Sequence, residues 1–123
     1  MTGERLYADV DGKTVVMIDD MIGSGTTMER AANACLAAGG QQVFAAATHG
    51  LFVGRAGEVI GRDALKQTLV TDLVPPFRLD PTIVEAKVTV LSAAPLFADA
   101  IRAIHENGSI VELLADCPRT DHN

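Results

Sequence analysis

Aromatic residues are scarce in this chain, with four Phe, one Tyr and no Trp in 123 residues. Cations are outnumbered, ten Lys plus Arg against sixteen Asp plus Glu, for a formal charge of −6. With no basic stripe and few rings to stack, nucleic acid and anionic membrane surfaces are excluded as expected partners. Cys35 and Cys117 are too few for a disulfide framework and too isolated for a zinc site. No apolar run approaches the roughly 18 residues of a membrane span. The opening MTGERLYADVDG is acidic and polar, unlike the basic and apolar regions of a signal peptide. What the chain does have is 48% apolar residues against 21% charged, enough to bury one core. The expectation is a small, soluble, cytoplasmic protein with a single domain over residues 1–123.

Thr14–Ile18 is a short apolar run with β-branched residues and no alternation, which predicts a strand buried on both faces, as in a parallel sheet. It leads into Asp19-Asp20, Met21-Ile22 and then Gly23-Ser24-Gly25-Thr26-Thr27. A helical pattern follows, with Met28, Ala31, Ala32, Cys35 and Leu36 on one face and Gly39-Gly40 as its stop. Val43–Ala47 reads as a second buried strand, completing a βαβ unit. Further on, the pattern predicts a short helix within Leu51–Ile60 and strands at Thr68–Thr71 and Lys87–Leu91. Pro95 opens a last helix whose buried face is expected to be Phe97, Ala100, Ile101 and Ile104, with Asn107-Gly108 as its stop. Val111–Leu114 adds a short closing element, and residues 115–123 read as a polar tail. The fold class is α/β with a mostly parallel sheet flanked by helices.

Three familiar glycine motifs fail. Gly12-Lys13-Thr14 ends like a P-loop, but Tyr7 stands where the first glycine belongs. Gly23-Ser24-Gly25 lacks the third glycine of a dinucleotide fingerprint, since Met28 occupies that place. No G-x-S-x-G elbow is present.

An acid pair at a strand's carboxyl end, followed by a Gly/Ser/Thr loop that opens a helix, does stand. Ligands bind at this edge of open parallel sheets. Free N–H groups, the hydroxyls of Ser24, Thr26 and Thr27, and the positive helix end suit a phosphate dianion. Asp19 and Asp20 cannot favourably face the same anion, so they are left for hydroxyl donors, a divalent cation, or both. A ribose 5-phosphate moiety satisfies both halves. The plainer reading is a capped turn beside two solvated acids; the conjunction of buried strand, acid pair, loop and amphipathic helix favours the ligand site.

The run Val15–Thr27 resembles the phosphoribosyl-diphosphate-binding signature of type I phosphoribosyltransferases, and more narrowly that of ribose-phosphate diphosphokinases, the phosphoribosyl pyrophosphate synthetases. The resemblance continues through Phe44–Gly50, Val70–Asp72 with Pro75, Val88–Leu96, Ala100–His105 and Gly108–Ile110. It covers most of residues 12–114 and matches only the back part of the synthetases' second domain. It implies a truncated type I phosphoribosyltransferase-like, Rossmann-like fold. It also implies that Asp19 and Asp20 take the sugar hydroxyls, that Gly23, Ser24, Gly25, Thr26 and Thr27 take the 5-phosphate, and that magnesium accompanies the bound ligand. Gly23 stands where an acid is common in the family, and Thr26 where glycine is frequent.

The synthetases also carry an ATP-binding amino-terminal half and a basic loop ahead of the signature strand. Here thirteen residues precede Thr14, with Arg5 and Lys13 their only cations. Without preorganised cations at a phosphoryl transition state, the chain is expected to bind without catalysing. It is further expected to associate, either as a homodimer through the first strand's edge or Leu6–Val10, or with a complementary synthetase half. The alternative is a non-catalytic regulatory subunit of a full-length synthetase. A phosphoacceptor receiver domain, with Asp72 as acceptor, would need a lysine where Leu91-Ser92 stand. Of the remaining polar residues, His49 reads as a hydrogen-bonded structural histidine, His105 as a helix-end residue, and Cys35 as a small core hydrophobe. Asp72, on the same sheet edge as the acids, is a subsidiary site candidate.

Overall fold

The computed structural model describes residues 9–115. These fall into two compact units, divided between Leu91 and Ser92. The expected polar tail therefore lies largely outside the described residues, as does most of the amino-terminal segment Leu6–Val10. No helix among the described residues is long and apolar enough to cross a membrane.

The first unit is a four-stranded parallel sheet in the order β1 (Thr14–Ile22), β2 (Gln42–Gly50), β3 (Gln67–Thr71) and β4 (Val88–Leu91). Helices α1 (Thr26–Ala37), α2 (Ala56–Gly61) and α3 (Pro81–Lys87) make the three crossovers. The expected α1 face is confirmed, with Met28, Ala32 and Cys35 buried against the sheet. Gly39-Gly40 ends the helix as its pattern requires: Gly40 N–H returns to Cys35 O and Gly39 N–H to Leu36 O, with Gly39 at φ +93°.

The core is one-sided. Val43, Ala45, Ala47, Val70 and Val88 pack against α1 and α2, with Ile83 and Val84 of α3 beside them. Strands joined in sequential order by crossovers of constant hand send every helix to the same face. The other face carries Val16, Ile18, Phe44, Ala46, Leu69 and Leu91, and Ile18 is 83% exposed. This corrects the expectation that Thr14–Ile18 is buried on both faces: among the described residues β1 is an edge strand with one open face. It also runs four residues further than expected, so that Asp19 and Asp20 lie within the strand rather than beyond its end.

Helix α3 was not expected. Its signal is local: Asp80 caps it by accepting the Thr82 N–H at 2.8 Å, and Pro81 supplies the first turn. The Asp80 carboxyl is held below its ordinary value of 3.8 by the Thr82 hydroxyl and then by the Thr82 N–H.

The second unit contains α4 (Ala94–His105) and α5 (Ile110–Ala115). Asn107, at φ +55°, and Gly108 close α4 as expected, with Gly108 N–H bonded to Ala103 O at 2.7 Å. The expected burial of α4 is not observed. Phe97, Ile101 and Ile104 are each more than half exposed, and no α4 residue is fully buried. The periodicity correctly located an amphipathic helix, but amphipathicity records only a preference for apolar contact.

Candidate functional site

The site forms where β1 gives way to α1. Gly25 takes a left-handed conformation, φ +74°, at the amino-terminal cap of α1, which turns the chain sharply out of the strand. A side chain there would also meet Val59 of α2, since a Cβ would lie 3.0 Å from its Cγ1. No side chain caps α1, so the loop hydroxyls are not spent on the helix end. Ser24 Oγ and Thr26 Oγ1 lie 3.0 Å apart. The first helical turn leaves its N–H groups without helical acceptors. Among the described residues, the N–H groups of Ser24 to Met28 make no main-chain hydrogen bond outside regular secondary structure.

These residues enclose a cavity of about 160 Å³ lined by Asp19, Met21, Ile22, the whole run Gly23–Thr27, and Met28. One expected ligand group is therefore brought together with the loop and the other is not. Asp19 lines the cavity; Asp20 does not. Asp19 also borders a second, mainly apolar cavity of about 230 Å³ along the strand ends, with Ile18, Ala46, Thr48, Leu69, Thr71 and Leu91. Among the described residues, no Lys or Arg lines either cavity.

His49 is placed beside the acids without entering the loop cavity. Its Nδ1 lies 3.3 Å from the main-chain oxygen of Asp20, so that nitrogen carries the proton in this contact. Asp72 remains at the strand edge, its N–H bonded to Leu91 O at 2.9 Å. Glu29 of α1 pairs with Arg62 at the end of α2. The pair ties together the two helices that flank the loop.

The sequence reading missed the turn behind the loop. Leu51 and Phe52 N–H groups both donate to Ile22 O, at 2.9 and 3.2 Å, and Val53 N–H donates to Gly23 O at 3.1 Å. Phe52 is buried at φ +47°, with its ring over Gly50 where any side chain would collide with it. No pattern of residue types announces such a contact between two loops.

Comparison with known proteins agrees with the fold. Residues 4–115 match the family described as the phosphoribosyl synthetase-associated domain. The chain is 41% identical over 109 residues to a ribose-phosphate pyrophosphokinase of Helicobacter hepaticus, covering 89% of this chain and 34% of that one. It is 37% identical over 114 residues to the enzyme of the same name from Streptomyces avermitilis, covering 92% and 34%. The crystal structure of phosphoribosylpyrophosphate synthetase from Mycobacterium smegmatis superposes with a TM-score of 0.73 at 37% identity, covering 85% of this chain and 34% of that one. The chain thus spans about a third of the length of the relatives it matches. With its parallel α/β sheet and its strand-to-helix loop, the chain belongs to the phosphoribosyl synthetase-associated domain family.

Proposed function

We propose that the chain binds ribose 5-phosphate or phosphoribosyl diphosphate at Asp19–Thr27, and that by itself it binds without catalysing. The observation that carries the reading is the cavity in which one carboxylate, Asp19, sits beside the Gly/Ser/Thr loop and the start of α1. Loop N–H groups and hydroxyls receive the phosphate, while Asp19 accepts from ribose hydroxyls. Asp20, next to it in strand β1, does not line this cavity. Magnesium fits this donor set, because a small hard cation binds through one or two carboxylates plus the oxygens of a substrate phosphate. Asp19 would hold it, and it would supply neutralising charge at the ligand. Among the described residues no group of three or more His, Cys, Asp or Glu forms a metal cage by itself.

Phosphoryl transfer needs positive charge placed where the transition state develops negative charge. Among the described residues, those lining the site provide none of it as Lys or Arg. This favours a binding module, with a non-catalytic subunit of a full-length synthetase as the second reading. A thermal melt and a turnover assay test the proposal together. Ribose 5-phosphate at a hundredfold excess over its dissociation constant stabilises the fold by about 2.7 kcal/mol. The paired change Asp19→Asn with Thr27→Val abolishes that shift. No phosphoribosyl diphosphate forms from ATP, magnesium and ribose 5-phosphate. A wild-type melt unmoved by millimolar ligand overturns the binding reading; turnover above background, lost in Asp19→Ala, overturns the non-catalytic one. Stimulation of a full-length synthetase by the added chain would favour the second reading.

A further inference from the structure

We infer that the Leu51–Val53 turn is a positioning device that aims the N–H groups of Gly23 and Ser24 at the bound phosphate. The inference deepens the ribose-phosphate reading and rests on it. In a trans peptide the C=O and N–H of one plane point in opposite directions. Ile22 O shares a plane with Gly23 N–H, and Gly23 O with Ser24 N–H. The turn holds Ile22 O through two N–H groups, of Leu51 and Phe52, and Gly23 O through a third, of Val53. Both carbonyls are thereby drawn to the β2–α2 side of the loop, and the two N–H groups of the same planes are turned away from it. A phosphate repels carbonyl oxygens and is attracted by N–H groups, so either plane flipped would convert attraction into repulsion.

The turn needs Phe52 in a left-handed backbone, a conformation that non-glycine residues take at a cost. Burial of the ring, 2% exposed and packed over Gly50, offsets that cost. Gly50 is the counterpart, because the space a side chain would need there is already filled by the ring. The lever thus runs from a buried aromatic ring, through three main-chain donors, to the two peptide planes at the start of the phosphate loop.

Val53→Pro removes the donor to Gly23 O and pushes Phe52 out of its left-handed conformation. Phe52→Val keeps every N–H group but places a β-branched residue at positive φ, and serves where the proline variant does not fold. Amide resonances of the full chain are followed during titration with ribose 5-phosphate. In the wild type the amide protons of Gly23, Ser24, Thr26 and Thr27 all shift downfield. In either variant the Gly23 and Ser24 shifts are lost, those of Thr26 and Thr27 persist, and affinity falls about tenfold. A merely structural role would lower the melting temperature and leave the Ser24 shift in place. Retention of that shift with affinity within twofold of wild type overturns the inference while leaving the ribose-phosphate reading intact. A wild-type titration that moves none of the four amides overturns both.

Discussion

Asp19 accepts the main-chain N–H of its neighbour Asp20 through Oδ1 at 2.8 Å. The two carboxylates are adjacent in the chain but not equivalent in place. Alternation along β1 sends successive side chains to opposite faces, and only Asp19 reaches the loop cavity. Asp19→Asn is therefore expected to weaken ribose 5-phosphate binding more than Asp20→Asn. A hydrogen bond to a charged group contributes about 1.5–3 kcal/mol, so the Asp19 change costs roughly tenfold or more in affinity. Isothermal titration of the two variants side by side checks the order; equal losses would mean that both acids share the ligand.

Thr68 is the reverse case, a polar group with nothing to do. It is fully buried in β3, and its hydroxyl is the buried side-chain oxygen without a hydrogen-bond partner among the described residues. Thr68→Val has nearly the same shape and removes the desolvation cost of an unpaired hydroxyl. It is expected to stabilise the fold by about 1 kcal/mol, read from urea unfolding. Destabilisation would show that the hydroxyl finds a partner in solution.

Acid should weaken α3 in a defined direction. Asp80 has its folded-state pKa lowered by the Thr82 hydroxyl and N–H. A lowered folded value means that its contribution is fully present above the unfolded value and is lost as pH falls through the folded one. Asp80→Ala is thus expected to melt below wild type at neutral pH, with the gap closing at pH values below the ordinary 3.8. A gap that stays constant into that range would mean that the carboxylate does not provide the cap.

The open face of the sheet predicts association. Val16 is 59% and Ile18 83% exposed, and Leu91 is half exposed on the same face. Contiguous exposed apolar surface usually marks a contact, and a symmetric dimer is the commonest way to cover it. Sedimentation at micromolar concentration is expected to show a species heavier than the 12.9 kDa chain. Ile18→Lys should shift it towards monomer without disturbing the loop cavity, which Ile18 does not line. A wild-type chain that sediments only at its own mass removes this reading.

Most local elements and the candidate Gly23–Thr27 loop were legible in the residues alone. Val15–Ile18 is apolar and mostly β-branched, Met28, Ala32 and Cys35 recur at helical spacing, and Gly39-Gly40 and Asn107-Gly108 stop their helices through backbone geometry that few other residues adopt. The Gly23–Thr27 loop was legible for the same reason: its chemistry is written in consecutive residues. Asp80-Pro81 was legible too, and α3 could have been read from it. What depends on contacts between distant segments emerged with the folded chain. It placed α1–α3 on one face, because crossovers of one hand between sequential strands leave no alternative. It separated Asp19 from Asp20 by continuing β1 through them, which pairing with β2 enforces and a run of acids does not announce. It set the Leu51–Val53 turn behind the Gly23–Thr27 loop, about thirty residues away in sequence, where hydrogen bonds between main-chain groups carry no residue-type signal at all.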